Sequence, residues 1–239
     1  MPKDRESAGQ PSVARKIGAE IAGTFIITLA ATSVDVLYYT THQVDYVSRW
    51  LARGFATAAV IYAFSEISGA HVDPAITLGF TLRGVFPART MVLYWIAQFA
   101  GSFAAAALLL AAFGSNVALG ASHPGPTIPP VEAAIAEVLL TAIVMLVILT
   151  TAKQKAVVGR ETALAVGFAV AACGFFAGPI SGASMNPARS IAPQMLSGQF
   201  GLVWVYAAGP LLGAGLAVVI HSLLCGAPNR EEREAAQGK

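Results

Sequence analysis

Charge is scarce in this chain: 12% of its 239 residues are Asp, Glu, Lys or Arg, about half the roughly 25% usual for soluble domains. Such a composition argues against a water-soluble core. Fifteen basic residues against thirteen acidic ones leave a net charge of +2, too little for a nucleic-acid footprint, and the basic residues are spread over loops. The only two cysteines, Cys173 and Cys225, fall in different apolar runs. That excludes a disulfide framework and a cysteine metal cluster, so both read as small apolar thiols. His42 and His221 are isolated and have no ligand spacing. No nucleophile stands beside a base, and no phosphate loop occurs. Catalytic residues, metal and cofactor are therefore not expected.

What the chain has in abundance is apolar sequence, 56% of its residues. Six runs have about the 20 residues that a helix needs to cross ~30 Å of hydrocarbon: Ile17 to Tyr39, Trp50 to Ser68, Ala88 to Phe113, Val131 to Ala152, Glu161 to Ile180 and Leu202 to Cys225. The lipid bilayer is the expected surrounding. The first twelve residues are polar, and the first run is a full span without a small-residue cleavage pattern, so it reads as retained rather than as a removable signal. Lys and Arg in short loops favour the cytoplasmic side. With the N-terminus inside, Lys3, Arg5, Arg15, Lys16, Arg83, Arg89, Lys153, Lys155, Arg160, Arg230, Arg233 and Lys239 are cytoplasmic, twelve of fifteen. Both termini are then cytoplasmic in a plasma membrane, of the bacterial inner-membrane kind. The short charged segment after Cys225 reads as a solvated tail.

One segment occurs twice. Residues 67–75 read Ile-Ser-Gly-Ala-His-Val-Asp-Pro-Ala, and residues 180–188 read Ile-Ser-Gly-Ala-Ser-Met-Asn-Pro-Ala, 113 residues later. Each copy follows the second span of a three-span half, so the halves face opposite ways as an inverted repeat. The chain divides into a tail (1–15), a first repeat (16–113), an extracytoplasmic linker (114–130), a second repeat (131–225) and a second tail (226–239). Asp or Asn is a preferred helix N-cap, and Pro suits the first turn. The apolar stretches that follow, Ala75 to Leu82 and Ala188 to Leu196, are too short to span and read as half-helices. If their N-termini meet at the midplane, two positive dipole ends converge there and disfavour a cation or proton.

At these residues the sequence resembles the major intrinsic protein family, the aquaporins and glycerol facilitators. The likeness spans about residues 15–225. It rests on the paired Ser-Gly-Ala-x-x-[Asp/Asn]-Pro-Ala segments, on Arg189 after the second, and on Glu20-x-x-Gly23-Thr24-Phe25. The resemblance implies an all-α membrane protein of six tilted helices and two re-entrant half-helices, one pore per protomer, and a homotetramer. It implies that Asn186 is the midplane donor, that Pro187 and Ala188 lock the half-helix tips together, and that Arg189 is the arginine of an outer constriction. Family spacing puts Arg53, Gly174 and Ala183 at the other constriction positions. Two departures stand out. The first motif reads Asp73-Pro74-Ala75 where the family usually has Asn, and Arg53 replaces a common aromatic.

Each candidate has two readings. Arg189 lies nearly one turn after Asn186, so both can face one channel, and an intramembrane arginine is a functional candidate by default. Asn186 can cap its helix and donate an N–H to solute at once. For Asp73 the roles compete, since a carboxylate caps but donates nothing. Arg53 either lines the constriction or turns away to pair with Asp35 or Asp45. Glu20 and Glu137, in the first span of each half, need partners, and the resemblance suggests backbone N–H groups of the re-entrant loops. His71 reads as loop packing ahead of gating by protonation. Gly23, Gly54, Gly101, Gly167, Gly209 and Gly213 read as close helix crossings. Trp50, Trp95 and Trp204 read as interfacial anchors, with core packing an equal alternative.

The function expected is a passive channel for water and/or small neutral solutes, with no enzymatic activity. Small residues at 174 and 183 suggest an outer constriction wider than a strict water pore unless Arg53 fills it. A small polar or anionic solute is an alternative, and a secondary transporter using Asp73, Glu20, Glu137 or Asp35 is a further one.

Overall fold

The computed structural model describes residues 11–114, 116–152 and 160–238. Lys3, Arg5, Lys153, Lys155, Lys239 and the side chain of Arg160, all part of the expected charge asymmetry, lie outside the described residues.

Nine α-helices follow one another: α1 Val13–Thr41, α2 Tyr46–Ser68, α3 Pro74–Leu82, α4 Ala88–Phe113, α5 Pro130–Ala152, α6 Arg160–Ser181, α7 Pro187–Leu196, α8 Val203–Cys225 and α9 Arg230–Gln237, among the described residues. The starts follow from local chemistry. Ser12, Asp45, Asp73, Asn186 and Asn229 each turn a side-chain oxygen to a backbone N–H of the first turn, and Pro opens both short helices. Asp45 thereby serves α2 through Ser48 (2.8 Å) rather than Arg53.

Five helices, α1, α4, α5, α6 and α8, are long and apolar enough to cross a membrane. The sixth span, α2, has 23 residues, about 35 Å of helix, but carries Arg49 and Arg53. Both are buried inside the bundle, so its hydropathy understates how well it fits. Outward faces are apolar: Phe55, Ile96, Phe168 and Leu212 are each about 60% exposed, which suits hydrocarbon and not water.

The halves mirror one another. α1 packs on α4 as α5 packs on α8, and α2 packs on α6 across the centre. Each half-helix lies between α4 and α8, so each is clasped by the last span of the opposite half. The α2–α6 crossing depends on Gly54 and Gly167. A methyl group on either would sit within 2.6 Å of the other's carbonyl oxygen, so small residues bring the two backbones together.

The chain after Cys225 is not a solvated tail. α9 starts with a capping box, Asn229 accepting from the Glu232 N–H and Glu232 accepting from the Asn229 N–H. It then folds back on the bundle, burying Glu232 and Ala236 completely. The Glu232 carboxylate accepts from Arg83 at 3.3 Å, and the Gln237 amide donates to the Val85 carbonyl at 3.1 Å. A buried ion pair and satisfied backbone groups outweigh what the polar composition suggests, because hydrophobicity alone does not register such partners.

Candidate functional site

The two re-entrant loops have the same conformation. Residues Gly69, Ala70 and Val72 in one and Gly182, Ala183 and Met185 in the other all have positive φ, an unfavourable region for Ala, Met and especially Val. A buried carboxylate holds each loop in this shape. Glu20 accepts from the Ser68 hydroxyl (2.7 Å), the His71 N–H (3.0 Å), the Val72 N–H (2.7 Å) and the Gln98 amide (2.8 Å). Glu137 accepts from the Ser181 hydroxyl (2.7 Å), the Ser184 N–H (2.9 Å) and the Met185 N–H (2.6 Å). The hydroxyls of Tyr94 and Tyr206 donate to the carbonyls of Ser68 and Ser181. Irregular backbone at membrane depth is tolerated where it is buried in protein or lines a cavity, and here it does both.

The loops meet at their tips. The Asn186 amide donates to the Val72 carbonyl at 2.9 Å, while its oxygen accepts from the Arg189 N–H. Asp73 caps α3 by accepting from the Ala75 N–H at 2.7 Å. Ala75 and Ala188 are wholly buried beside Pro74 and Pro187, and Trp95 donates to the Pro74 carbonyl. His71 is packed among Phe80, Phe86 and Tyr94, with its ring nitrogens at Thr77 and the Ala236 carbonyl.

A central cavity of about 80 Å³ runs past these tips, several times the ~10–15 Å³ that one water requires. Asp73, Asn186, His71, Ala183, Arg53 and Arg189 line it together with aliphatic side chains such as Ile27, Val144 and Val170. Toward α9 it shares Ile61, Ala70, Ile76, Ile148 and Val166 with a wider mouth of about 280 Å³. At the other end lies a vestibule of about 220 Å³ lined by Asp35, Tyr38, Arg49, Ser122 and His123 among others.

Between cavity and vestibule stands a charge cluster that the sequence only hinted at. Asp35 pairs with Arg49 (Nε, 2.5 Å), with Arg189 (Nη2, 2.8 Å) and with Arg53 (Nη2). Arg53 also donates to the Gly182 carbonyl at 3.1 Å and lies over the Trp50 ring, 4.2 Å from its centroid. Arg189 also donates to the Ser122 hydroxyl. Lining the central cavity and pairing with Asp35 thus coexist in Arg53. Three guanidiniums meet one carboxylate, a formal excess of two positive charges.

Gly174 falls elsewhere. It lies against the Trp50 ring, which a methyl group at 174 or 178 would strike, and Trp50 is fully buried. Trp50 is thus a core residue rather than an interfacial anchor, and it occupies the space beside Gly174. Trp204, in contrast, is 47% exposed. Ser122 carries no signal in the sequence, being a lone serine in a linker. Its hydroxyl accepts from both Arg189 and Ser190, and its carbonyl accepts from Gln194.

Comparison with known proteins agrees with this geometry. The family model described as "Major intrinsic protein" matches residues 7–221. A rice protein, Aquaporin NIP1-3 of Oryza sativa subsp. japonica, is 39% identical over 215 residues, covering 88% of this chain and 74% of the relative. A maize protein, Aquaporin NIP1-1 of Zea mays, is 36% identical with the same coverage. The solved aquaglyceroporin from Plasmodium falciparum superposes with a TM-score of 0.81 at 23% identity, over 90% of this chain and 98% of that one, which shows the shared fold. The chain belongs to the major intrinsic protein family, and is a passive membrane channel for water or small neutral solutes.

Proposed function

We propose that the solute path runs from the vestibule, past Arg53, Ala183 and Arg189, between Asp73 and Asn186, to the mouth beside α9. The observation that carries this reading is the central cavity, bounded by polar groups from both loops at its waist and by the paired arginines at one end. The arginine end faces outward and both termini face the cytoplasm. The excess of basic residues in the loops on the α9 side supports that orientation. The membrane is the plasma membrane. The named relatives are plant proteins and give no support to a bacterial inner membrane. Protomers assemble as homotetramers with one pore each, an arrangement in keeping with the apolar outward faces.

Glu20 and Glu137 act as loop supports, each engaged by loop N–H groups. That use of the buried carboxylates favours a passive pore over a coupled transporter, which would need a carboxylate free to bind an ion. Stopped-flow measurements on proteoliposomes test the reading with water, glycerol, urea and a small anion. Flux above that of empty vesicles, linear in gradient and independent of ions, is expected for at least one neutral solute.

A second reading is that the pore takes a strongly polar or anionic solute. It is favoured by the formal positive excess at the Asp35 cluster, because a ring of one sign focuses the opposite sign. Anion flux in the same panel distinguishes it.

A further inference from the structure

Two arginines facing one narrow path repel, and their burial in the bundle strengthens that repulsion. The fold resolves it with a single oxygen. Asp35 Oδ2 accepts from Arg53 on α2 and from Arg189 on α7, while Oδ1 accepts from Arg49 toward the vestibule. Asp35 itself sits on α1 and is buried, so three helices converge on its carboxylate. Arg53 has a further feature: its Nε is buried and has no hydrogen-bond partner, while its residue lines the central cavity. An unpaired buried donor is costly, and it persists here because the rest of the guanidinium is held by Asp35, Gly182 and Trp50.

We propose that Asp35 is a positioning residue that determines selectivity: it holds Arg53 and Arg189 as one unit and thereby sets the aperture and charge a solute meets. The proposal rests on reading these arginines as the constriction. Asp35 is outside both repeated motifs and borders the vestibule rather than the central cavity. It acts through the two guanidiniums, so its removal alters which solutes pass rather than whether the pore forms.

The test uses the full chain in proteoliposomes, reading the ratio of glycerol to water permeability and its dependence on salt. In Asp35→Asn the ratio should shift by roughly threefold or more and become salt-dependent, as expected when buried cations lose their counter-charge. Asp35→Glu should return it toward wild type. In an Arg53→Leu background the Asp35→Asn shift should shrink, because one of the two cations is gone. If Asp35→Asn does not fold, Asp35→Asn with Arg49→Leu removes one cation along with the anion and is read in the same way. An unchanged ratio, or an equal shift with and without Arg53, overturns the proposal. Absence of any water or glycerol flux in the wild-type channel would instead overturn the constriction reading on which it rests.

A different observation, at the opposite mouth, carries a second inference. α9 docks on the first re-entrant loop and on α1: the His71 ring meets the Ala236 carbonyl at 2.9 Å, the Lys16 ammonium of α1 meets the Gln237 carbonyl at 2.5 Å, and Ala235 forms part of the wall of the mouth. Below it lies the Arg83–Glu232 pair, whose side chains are 3% and 0% exposed. The geometry points to α9 as a lid on this mouth, latched by Glu232 and resting on the loop that carries Asp73. Glu232→Ala and Ala236→Asp should each release it, which hydrogen exchange across residues 230–237 reads directly. Water permeability per molecule should then rise about twofold or more. Released α9 with unchanged or lower permeability overturns the lid. Retained protection in both variants overturns the latch.

Discussion

The Asn186 amide donates to the Val72 carbonyl at 2.9 Å, so the second loop is tied to the first at a residue whose φ of 47° is costly for a β-branched side chain. The tie and the strain occur at one place. Removing the amide leaves a buried carbonyl unpaired and α7 without its cap. We predict that Asn186→Ala lowers stability by about 2–4 kcal/mol, summing a lost cap and an orphaned carbonyl, and abolishes most water flux. Thermal denaturation of purified protein measures the first and stopped-flow light scattering the second. Wild-type stability in this variant would show that the loops are held by other contacts.

Glu20 and Glu137 perform the same task in mirrored halves, which predicts matched penalties. Glutamine at either site keeps one acceptor but presents an N–H to loop N–H donors. Charge-assisted hydrogen bonds contribute about 1.5–3 kcal/mol each, so each Glu→Gln change should cost about 3 kcal/mol and depress flux. Glu20 has one more side-chain partner, Gln98, so Glu20→Gln is expected to be the worse. A neutral effect of Glu137→Gln on the melting transition would contradict the loop-support role.

Asp73 departs from the family pattern yet caps α3 as Asn would. Asn and Asp are nearly equal as caps. Asp73→Asn is therefore predicted to leave stability within about 0.5 kcal/mol and water flow intact, while any proton leak falls because the titratable group is gone. Fluorescent pH indicators trapped in vesicles report the leak. A rise in leak would reverse the assignment.

Arg53→Phe removes one cation from Asp35 and leaves Arg49 and Arg189 to share it. The prediction is a narrower range of neutral solutes and loss of any anion flux, with water flow retained. An anion flux that survives the change would locate charge selection elsewhere.

Gly54→Val is predicted to be severe although it touches no solute. Its side chain would meet the Gly167 carbonyl and Ala171 at the α2–α6 crossing, and overpacking of that kind costs about 1–3 kcal/mol or more. Loss of monodisperse protein on size-exclusion chromatography is the expected readout, and a normal profile would mean that the crossing can spread.

The helices are largely legible in the amino-acid sequence. Apolar runs of spanning length, caps at Asp73 and Asn186, and the duplicated segment predict α4 at its observed limits and the half-helices to within one residue. These signals are local: a cap, a proline and a run of apolar residues act over one turn or one span, so the chain itself carries them. The loop carboxylates are half legible, since a membrane glutamate demands partners without naming them.

The chain by itself determined that it spans a membrane, that its halves are inverted copies, and which residues begin the half-helices, because these follow from hydrophobicity and capping along the backbone. Only the tertiary structure decided how charge is shared. Asp35 meets Arg189 across 154 residues, Trp50 occupies the space beside Gly174, Ser122 reaches in from a linker, and α9 buries Glu232 against Arg83. The physical reason is desolvation: a buried charge must find its counter-charge wherever the fold brings one near, and sequence spacing does not encode that distance.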